Sequence, residues 1–159
     1  LCIKQKFLTS KYLISARPGK RVCKCRQHHW SNWMPISNFL ANEILDDIFS
    51  GNAYSPPGTF YLALYTTAPT AAGGGTELSG NGYVRRSVAF TTTAQQSTNT
   101  SAVEFPTATG SWGTVVACGV FDASTSGNLL AFANLTASKT ITTGDVLRVP
   151  ATDLDINLA

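Results

Sequence analysis

Apolar residues between positions 36 and 49 recur at the spacing of one face of an α-helix. They are Ile36, Phe39, Leu40, Ile44, Leu45, Ile48 and Phe49. Residues three and four apart lie on the same side of a helix, so this stripe predicts one amphipathic helix within residues 35–51. Ser37 or Asn38 can cap its start, and Gly51 follows its end. A helix with one strongly apolar face needs a surface to pack against.

After Pro57 the hydrophobic period changes to two, which is the period of a β-strand. The stretch TFYLALYTT, residues 59–67, places one set of side chains on each face of such a strand. One face carries Phe60, Leu62 and Leu64, and the other carries Tyr61, Ala63 and Tyr65. Because both faces are apolar, this strand is predicted to lie in the centre of its sheet.

Six further segments show strand-like alternation or apolar runs bounded by turn residues. They are GYVRRSVAF (82–90), NTSAVEFP (99–106), SWGTVVACGVFD (111–122), NLLAFANLT (128–136), KTITTGDVLRVP (139–150) and TDLDINLA (152–159). The turn ASTSGN predicts a β-hairpin between the third and fourth of them. The pattern of one helix and seven or eight short strands predicts an all-β fold, an antiparallel β-sandwich or jelly-roll-like domain. Strands do not alternate with helices, which argues against a doubly wound nucleotide-binding sheet.

Charge divides the chain at Met34, its only methionine. Residues 1–33 contain eight basic residues and no acid, whereas residues 34–159 contain four basic and nine acidic residues, a net charge of −5. The overall charge of +3 therefore describes neither part. The charge of residues 34–159 argues against nucleic-acid binding except through the basic leader. The length of this second part fits a single domain.

Three interpretations of the basic leader, residues 1–33, stay open. The favoured one is translated upstream sequence, with Met34 as the start of the native product. The others are a basic arm that contacts nucleic acid or a partner, and a targeting segment. The leader lacks the unbroken apolar region and the small-residue cleavage site of a targeting segment. We expect it to be disordered or absent from the native product, so it does not enter the fold prediction.

Most cysteine and all histidine residues lie in the leader. The stretch CKCRQHHW combines Cys23, Cys25, His28 and His29, but its spacing is not the C-x₂₋₄-C and H-x₃₋₅-H spacing of a zinc site. Cys118 lies in the apolar run TVVACGVF and is predicted to be a buried, unreactive thiol. Residues 34–159 contain no histidine, which excludes Ser/His/Asp and Cys/His catalysis there. The sequence predicts no metal and no cofactor.

The stretch AAGGGTELSGNGYVRRSVAF, residues 71–90, raises the question of a phosphate-binding glycine loop. Such a loop works because a helix begins directly after it and points backbone N–H groups at the anion. Here the glycines lead into an alternating strand, so they are predicted to supply positive φ angles in a long mobile loop. Arg85 and Arg86 point to opposite faces of that strand and cannot act together as one clamp.

Acidic residues on the helix and in turns are better explained by structure than by catalysis. Glu43, Asp46 and Asp47 fall mostly off the apolar stripe and are predicted to form a solvated helix face. A calcium site could be assembled from Asp122, Asp145, Asp153 and Asp155. Aspartate is common in turns, however, because its side chain bonds the local backbone. Paired carboxylates across a cleft, as a glycan hydrolase needs, are not indicated, so we predict a protein that is not an enzyme.

Aromatic residues and apolar runs bear on carbohydrate binding and on membrane insertion. Trp112 and the five tyrosines could form a carbohydrate-stacking surface, but core or interface packing is the favoured interpretation. No apolar run approaches the roughly 18–20 residues that span a bilayer, so membrane insertion is not predicted.

Beyond Met34 the chain resembles a known family over almost its whole length. The matching stretches are FYLALYTTAPT, GGGTELSGNGYVRRSVAF, AVEFPTATGSWGTVVACGVFDASTSGNLLAFANLT and KTITTGDVLRVP. In this order they resemble the phage-like structural proteins that are commonly called phage tail fibre proteins. The resemblance covers residues 34–159 and involves many positions, and the leader has no counterpart in it.

The resemblance implies a non-enzymatic virion component of a tailed bacteriophage or a prophage, with no catalytic residues. Whether such a protein belongs to the tail or decorates the head stays open. Its expected partners are other virion proteins and copies of itself, as a homo-oligomer such as a trimer, because exposed sheet edges and apolar faces are covered by neighbours. The candidate assembly face consists of Ile36, Phe39, Leu40, Ile44, Leu45 and Ile48. The alternative is a module that binds a host-surface glycan or receptor through aromatic residues and loops such as 68–82.

Overall fold

The computed structural model describes residues 33–157 of the chain. The predictions for residues 1–32, including the cluster around Cys23 and Cys25, lie outside these residues. Helix α1 spans Asn38–Leu45, and the hydroxyl of Ser37 caps it by accepting a hydrogen bond from the Leu40 N–H at 3.2 Å. A π-helical turn, Asp46–Ser50, continues it to Gly51, which has a φ of 71°. The predicted helix and both of its ends are confirmed.

Eleven strands occur in the described residues, and several of them are only two residues long. They are β1 (Trp33–Met34), β2 (Phe60–Thr67), β3 (Thr76–Glu77), β4 (Arg86–Val88), β5 (Phe90–Thr93), β6 (Gln96–Asn99), β7 (Val103–Glu104), β8 (Gly113–Phe121), β9 (Leu129–Ile141), β10 (Arg148–Val149) and β11 (Asp155–Asn157). All pairs are antiparallel except β1 with β11. The predicted mainly antiparallel all-β fold with one N-terminal helix is therefore confirmed.

The larger sheet has the order β3-β2-β8-β9, and β4 pairs with β2 on the same edge as β3. In the centre of this sheet Leu64 of β2 lies opposite Cys118 of β8. Strands β8 and β9 form the predicted hairpin, and its loop is closed by Asp122, whose carboxylate accepts hydrogen bonds from the N–H and the amide group of Asn128 at 2.7 and 2.8 Å. The predicted central position of β2 is confirmed.

The second sheet has the order β1-β11-β6-β5, and β7 and β10 form a separate two-stranded pair. The parallel pair in this second sheet, β1 with β11, places Trp33 opposite Asp155 and Met34 opposite Ile156. The main hydrophobic core lies between these elements. It includes Leu62, Leu64, Val115 and Val120 of the larger sheet, together with Met34, Val103, Phe105, Leu147 and Leu154. Removing these side chains from water is the main favourable contribution to folding.

One polar side chain, that of Asn99, is fully buried beside this core. Its amide group donates hydrogen bonds to the carbonyl oxygens of Ser101 and Pro150 at 2.9 and 2.8 Å. Its amide oxygen accepts a hydrogen bond from the Leu154 N–H at 2.9 Å. Asn99 therefore links the end of β6 to the segment that leads into β11.

The structure corrects the prediction of one strand over residues 82–90. Only Arg86–Val88 pairs with β2, and the next strand, β5, begins at Phe90 and pairs with β6 in the second sheet. The chain changes sheets at Ala89, whose carbonyl accepts a hydrogen bond from the Thr100 N–H at 2.9 Å. An alternating pattern does not reveal this change, because the residues on both sides of it keep a period of two.

Candidate functional site

The glycines of residues 73–75 adopt the backbone conformation that the sequence predicts. Gly73, Gly74 and Gly75 have φ angles of 90°, 79° and 77°, which residues with a side chain rarely adopt. At Gly75 a side chain would also meet the carbonyl oxygen of Thr67 at 2.5 Å. Strand β3, and not a helix, follows these glycines. The loop therefore lacks the helix N-terminus that a phosphate-binding loop requires.

Directly after this loop, Glu77 forms a two-pronged ion pair with Arg85. The Nε and Nη2 atoms of Arg85 donate hydrogen bonds to the two carboxylate oxygens of Glu77 at 2.8 and 2.7 Å. The side chain of Arg85 is 8% exposed and that of Glu77 is 27% exposed. Burial works against the charged guanidinium, but the hydrogen bonds and charge of Glu77 outweigh it and raise the pKa of Arg85. This is the only ion pair in residues 33–157.

Arg85 also connects this ion pair to the loop of the β8–β9 hairpin. Its Nη1 atom donates hydrogen bonds to the carbonyl oxygens of Ala123 and Ser126 at 2.9 and 2.6 Å. The guanidinium carbon lies 3.6 Å from the ring centroid of Phe121, which adds a cation–π contact. Arg86 is exposed, so the two arginines point in different directions, as predicted. Arg85 thus holds β3 and the hairpin loop together.

Two tyrosines surround the carboxylate of Glu77. The hydroxyl of Tyr83 donates to Glu77 at 3.1 Å and accepts a hydrogen bond from the Leu64 N–H at 2.9 Å. Burial raises the pKa of Tyr83 above its ordinary value. Burial and then the charge of Glu77 raise the pKa of Tyr65 to about 12. Both phenols therefore stay protonated at neutral pH.

Next to the ion pair lies an open pocket of about 490 Å³, which we call the ion-pair pocket. Its walls are residues 71–75 of the glycine loop, residues 37–39 at the start of α1 and residues 126–129 of the hairpin. Tyr65, Glu77, Arg85 and Phe121 complete the lining. Sequence reasoning identified the loop but missed the pairing of Glu77 with Arg85, because nothing in the spacing of the two residues reveals that contact.

A second pocket, of about 510 Å³, lies between the second half of β9 and residues 146–150. Its charged lining residues are Lys139, Arg148 and Asp153. Cys118 also lines it, and burial raises the pKa of this thiol to about 12. Cys118 is 7% exposed, so its predicted burial is confirmed.

The structure divides the six residues of the candidate assembly face. Phe39 and Leu40 are partly buried and pack against the main core, and Ile36 lies before the helix in an isolated β-bridge with Ala131. Ile44 is half-buried. Leu45 and Ile48 are 38% and 64% exposed. The neighbouring Phe49, outside the predicted set, is 77% exposed.

Two of the four aspartates considered at turns, Asp122 and Asp145, bond their local backbone, whereas Asp155 lies in β11 and its Oδ1 atom is buried without a hydrogen-bond partner in the described residues. In addition to Asp122 in the hairpin, the Asp145 carboxylate accepts hydrogen bonds from the Thr142 N–H and hydroxyl, both at 2.8 Å. The Thr142 N–H is the largest of the contacts that lower the pKa of Asp145. No group of three or more His, Cys, Asp or Glu residues within residues 33–157 is arranged to hold a metal ion. Asp46 and Asp47 are exposed, as predicted for a solvated helix face, whereas Glu43 is half-buried.

Trp112 has the structural role that its apolar surroundings favour. It is 5% exposed, and its indole N–H donates to the carbonyl oxygen of Asn81 at 2.9 Å. Its ring packs edge-to-face with Tyr83, with 5.6 Å between ring centroids. The favoured interpretation of Trp112 as a core residue is therefore confirmed.

Comparison with known proteins yields a match to one protein family. The model of a family described as Podophage GP4 fiber I protein gp80 matches residues 35–157. No curated protein sequence matches the chain. Across the described residues, no helix combines the length and the apolar character needed to cross a bilayer.

Proposed function

Because the chain belongs to the family of the Podophage GP4 fiber I protein gp80, it is a phage structural protein of the fibre type, and we propose that it acts without catalysis, by assembling with copies of itself and with other virion proteins. The family match over residues 35–157 is the observation that carries this proposal. We propose a place in the tail of the particle, because the matching family is described as a fibre protein. Its association with the virion follows from the family.

Three acidic residues with structural roles, and the lack of histidine in residues 34–159, support a non-enzymatic role. Glu77 is engaged in the ion pair with Arg85, and Asp122 and Asp145 close turns. Residues 34–159 contain no histidine, the side chain that most often transfers protons at neutral pH. Each of these acids therefore has a structural use in the fold.

The exposed end of the helix supports self-assembly. Leu45, Ile48 and Phe49 are all exposed and lie within five consecutive residues at the end of the helical segment, so they form a small apolar patch. The apolar face of β2 that carries Ala63 and Tyr65 is not available for assembly, because both residues pack within the chain in a second core cluster with Phe121. We propose that the patch packs against a second copy, in a trimer.

Particle membership is tested by mass spectrometry of purified virions, including identification of the N-terminal peptide. Peptides of residues 35–157 in stoichiometric amounts are the expected result, and their absence from intact particles would contradict the proposal. The N-terminal peptide separately tests whether the native product starts at Met34 or includes the basic leader.

Self-assembly is tested by light scattering of the purified protein during size-exclusion chromatography. We expect a mass of three chains for the wild type and a smaller mass for the double variant Ile48→Ser, Phe49→Ser. Val84→Ser is the matched control, because Val84 is 52% exposed and lies outside the helix. A stable wild-type monomer at micromolar concentration would argue against the trimer, and a double variant that stays trimeric would exclude this patch.

A second candidate function is recognition of a host-surface glycan or receptor. The observation that favours it is the ion-pair pocket, which lies beside the loop that the sequence singles out. This function is compatible with the first, because a fibre protein can both build the particle and contact the host.

A further inference from the structure

The ion-pair pocket has a lining suited to a small polar ligand. Its volume of about 490 Å³ lies within the roughly 300–1,000 Å³ range of small-molecule sites. It combines a carboxylate, a guanidinium and aromatic rings, which are contributed by five separate segments of the chain. A site of this composition can bind a ligand that has both hydroxyl groups and an apolar face.

The charge of the pocket selects among polar ligands. Among the residues that the structure describes, Glu77 and Arg85 are the only charged residues in its lining, and each neutralises the other through two hydrogen bonds. A phosphate or a carboxylate would compete with Glu77 for the guanidinium, and a cation would compete with Arg85 for the carboxylate. The pocket therefore favours a neutral ligand.

The ion pair retains unused hydrogen-bonding capacity on both of its partners. A guanidinium has five N–H groups, and Arg85 uses four of them on Glu77, Ala123 and Ser126. A carboxylate has about four acceptor positions, and Glu77 uses three of them, two for Arg85 and one for Tyr83. One donor and one acceptor thus remain side by side. A hydroxyl group, which both donates and accepts, matches this pair.

The pocket also offers a ligand apolar surface and access to the backbone of the glycine loop. Phe39 is half-buried and contributes apolar surface to the pocket, whereas Tyr65 and Phe121 line it but are only 4% and 7% exposed. Gly73 and Gly74 leave open space where a side chain would stand, so a ligand can approach the backbone of the loop. The apolar C–H face of a sugar ring packs well on such surface, while its hydroxyl groups reach the ion pair.

We propose that the ion-pair pocket binds a neutral saccharide, with a ring hydroxyl hydrogen-bonded between Glu77 and Arg85. This inference rests on the proposed function as a fibre protein, since it assigns a ligand class to a surface that such a protein presents to its host. It deepens the receptor-binding function by excluding sialylated, uronic and phosphorylated sugars as preferred ligands.

The test is saturation-transfer NMR on the purified full chain with a fixed panel of sugars. The neutral probes are the methyl glycosides of glucose, galactose, mannose, rhamnose and N-acetylglucosamine, and the charged probes are N-acetylneuraminic acid, glucuronic acid and glucose 6-phosphate. We expect saturable binding of at least one neutral probe with a Kd of about 1–10 mM, an affinity that one sugar ring can reach. The charged probes should bind at least about tenfold more weakly.

A pair of matched variants locates the binding. Ala72→Trp adds a large side chain to the wall of the pocket, and Ala72 is exposed, so the variant is expected to fold. It should weaken binding by about tenfold or more, whereas Ala53→Trp, at an exposed alanine outside the pocket, should leave it unchanged. Circular dichroism of both variants checks the fold.

Three results would overturn the inference: no neutral probe bound, a charged probe preferred, or equal binding by Ala72→Trp and the wild type. Each of them would leave the presence of the chain in purified virions untouched, because mass spectrometry measures that independently. Conversely, a chain that binds a neutral sugar but is absent from virions would contradict the proposed function and not the pocket.

Discussion

Replacing the buried Asn99 by alanine is the sharpest test of the fold. This side chain is fully buried and makes three hydrogen bonds, two to carbonyl oxygens and one to a backbone N–H. Alanine cannot replace any of them. The groups left without a partner belong to Ser101, Pro150 and Leu154, in two different segments of the chain.

The size of the effect follows from how well water can reach each group. Leu154 is 5% exposed, so its N–H stays dry and costs about 2 kcal/mol when unpaired. Ser101 and Pro150 are exposed residues, so water can partly hydrate their carbonyl groups, at a cost of about 1 kcal/mol each. The expected loss is therefore about 4 kcal/mol of the free energy of unfolding, a large part of the roughly 5–15 kcal/mol typical of a domain.

Urea unfolding followed by circular dichroism measures this loss, and thermal unfolding should show a Tm lower by about 12 °C. Asn134→Ala is the control, because Asn134 is exposed and should change stability by less than about 0.5 kcal/mol. A loss below about 1 kcal/mol for Asn99→Ala would refute the reasoning, since the unpaired N–H of the buried Leu154 alone is expected to cost about 2 kcal/mol.

The variant Asn99→Asp adds a pH dependence with a defined sign. An aspartate there keeps the bond from the Leu154 N–H but directs a carboxylate at two carbonyl oxygens, so burial and repulsion raise its pKa in the folded state. A raised folded-state pKa means that the folded protein binds the proton more tightly. Relative to the wild type, stability should therefore fall as pH rises from about 4, the pKa of an exposed aspartate, through the raised value. Equal losses relative to the wild type at pH 4 and pH 7 would contradict this sign.

Three further outcomes test the candidate site and its surroundings. Arg85→Lys should lower the free energy of unfolding by about 1–3 kcal/mol, because lysine cannot form both the two-pronged pair with Glu77 and the hydrogen bonds to the hairpin carbonyl groups. Urea unfolding measures this change, and an unchanged stability would contradict the prediction. Gly75→Ala should cost at least about 2 kcal/mol through positive φ and the contact with the Thr67 carbonyl. Gly74→Ala is its control, because Gly74 has a similar φ but open space where a side chain would stand. It should lower the free energy of unfolding by about 1 kcal/mol. Equal losses for the two variants would refute the contribution of the contact with the Thr67 carbonyl. The Cys118 thiol, whose pKa burial raises to about 12, should resist alkylation at pH 8 in the folded protein and react once it is unfolded, as peptide mass spectrometry can show. Rapid labelling of the native thiol would contradict its burial.

The sequence was sufficient to predict the elements whose pattern is local. Ser37 and Gly51 mark the ends of the helical segment because capping chemistry acts within a few residues. Strand β2 was predicted as central because both of its faces are apolar, and the β8–β9 hairpin because turn residues separate two apolar runs. In each of these cases, residues that are close together in the sequence are sufficient for the prediction.

The features that the sequence missed depend on contacts between distant segments. The period of residues 82–90 does not show that the chain leaves one sheet at Ala89 and joins the other. The apolar stripe of the helix shows which residues share a face, but not that packing covers Phe39 and leaves Ile48 exposed. Glu77 and Arg85 are eight residues apart, and no residue propensity indicates that they pair across the segment between them. Charge alone does not select this pair, because Arg86 stands next to Arg85 with the same charge.

The parallel pairing of β1 with β11 has a mechanical consequence. Trp33–Met34 and Asp155–Asn157 run side by side in the same direction, so the backbone arrives at one end of this pair and departs at the other. Tension between Trp33 and Asn157 pulls the two strands past each other and loads all their hydrogen bonds at once, instead of opening them one after another. Within residues 33–157, the pairing of the first strand with the last one therefore bears tension applied between Trp33 and Asn157.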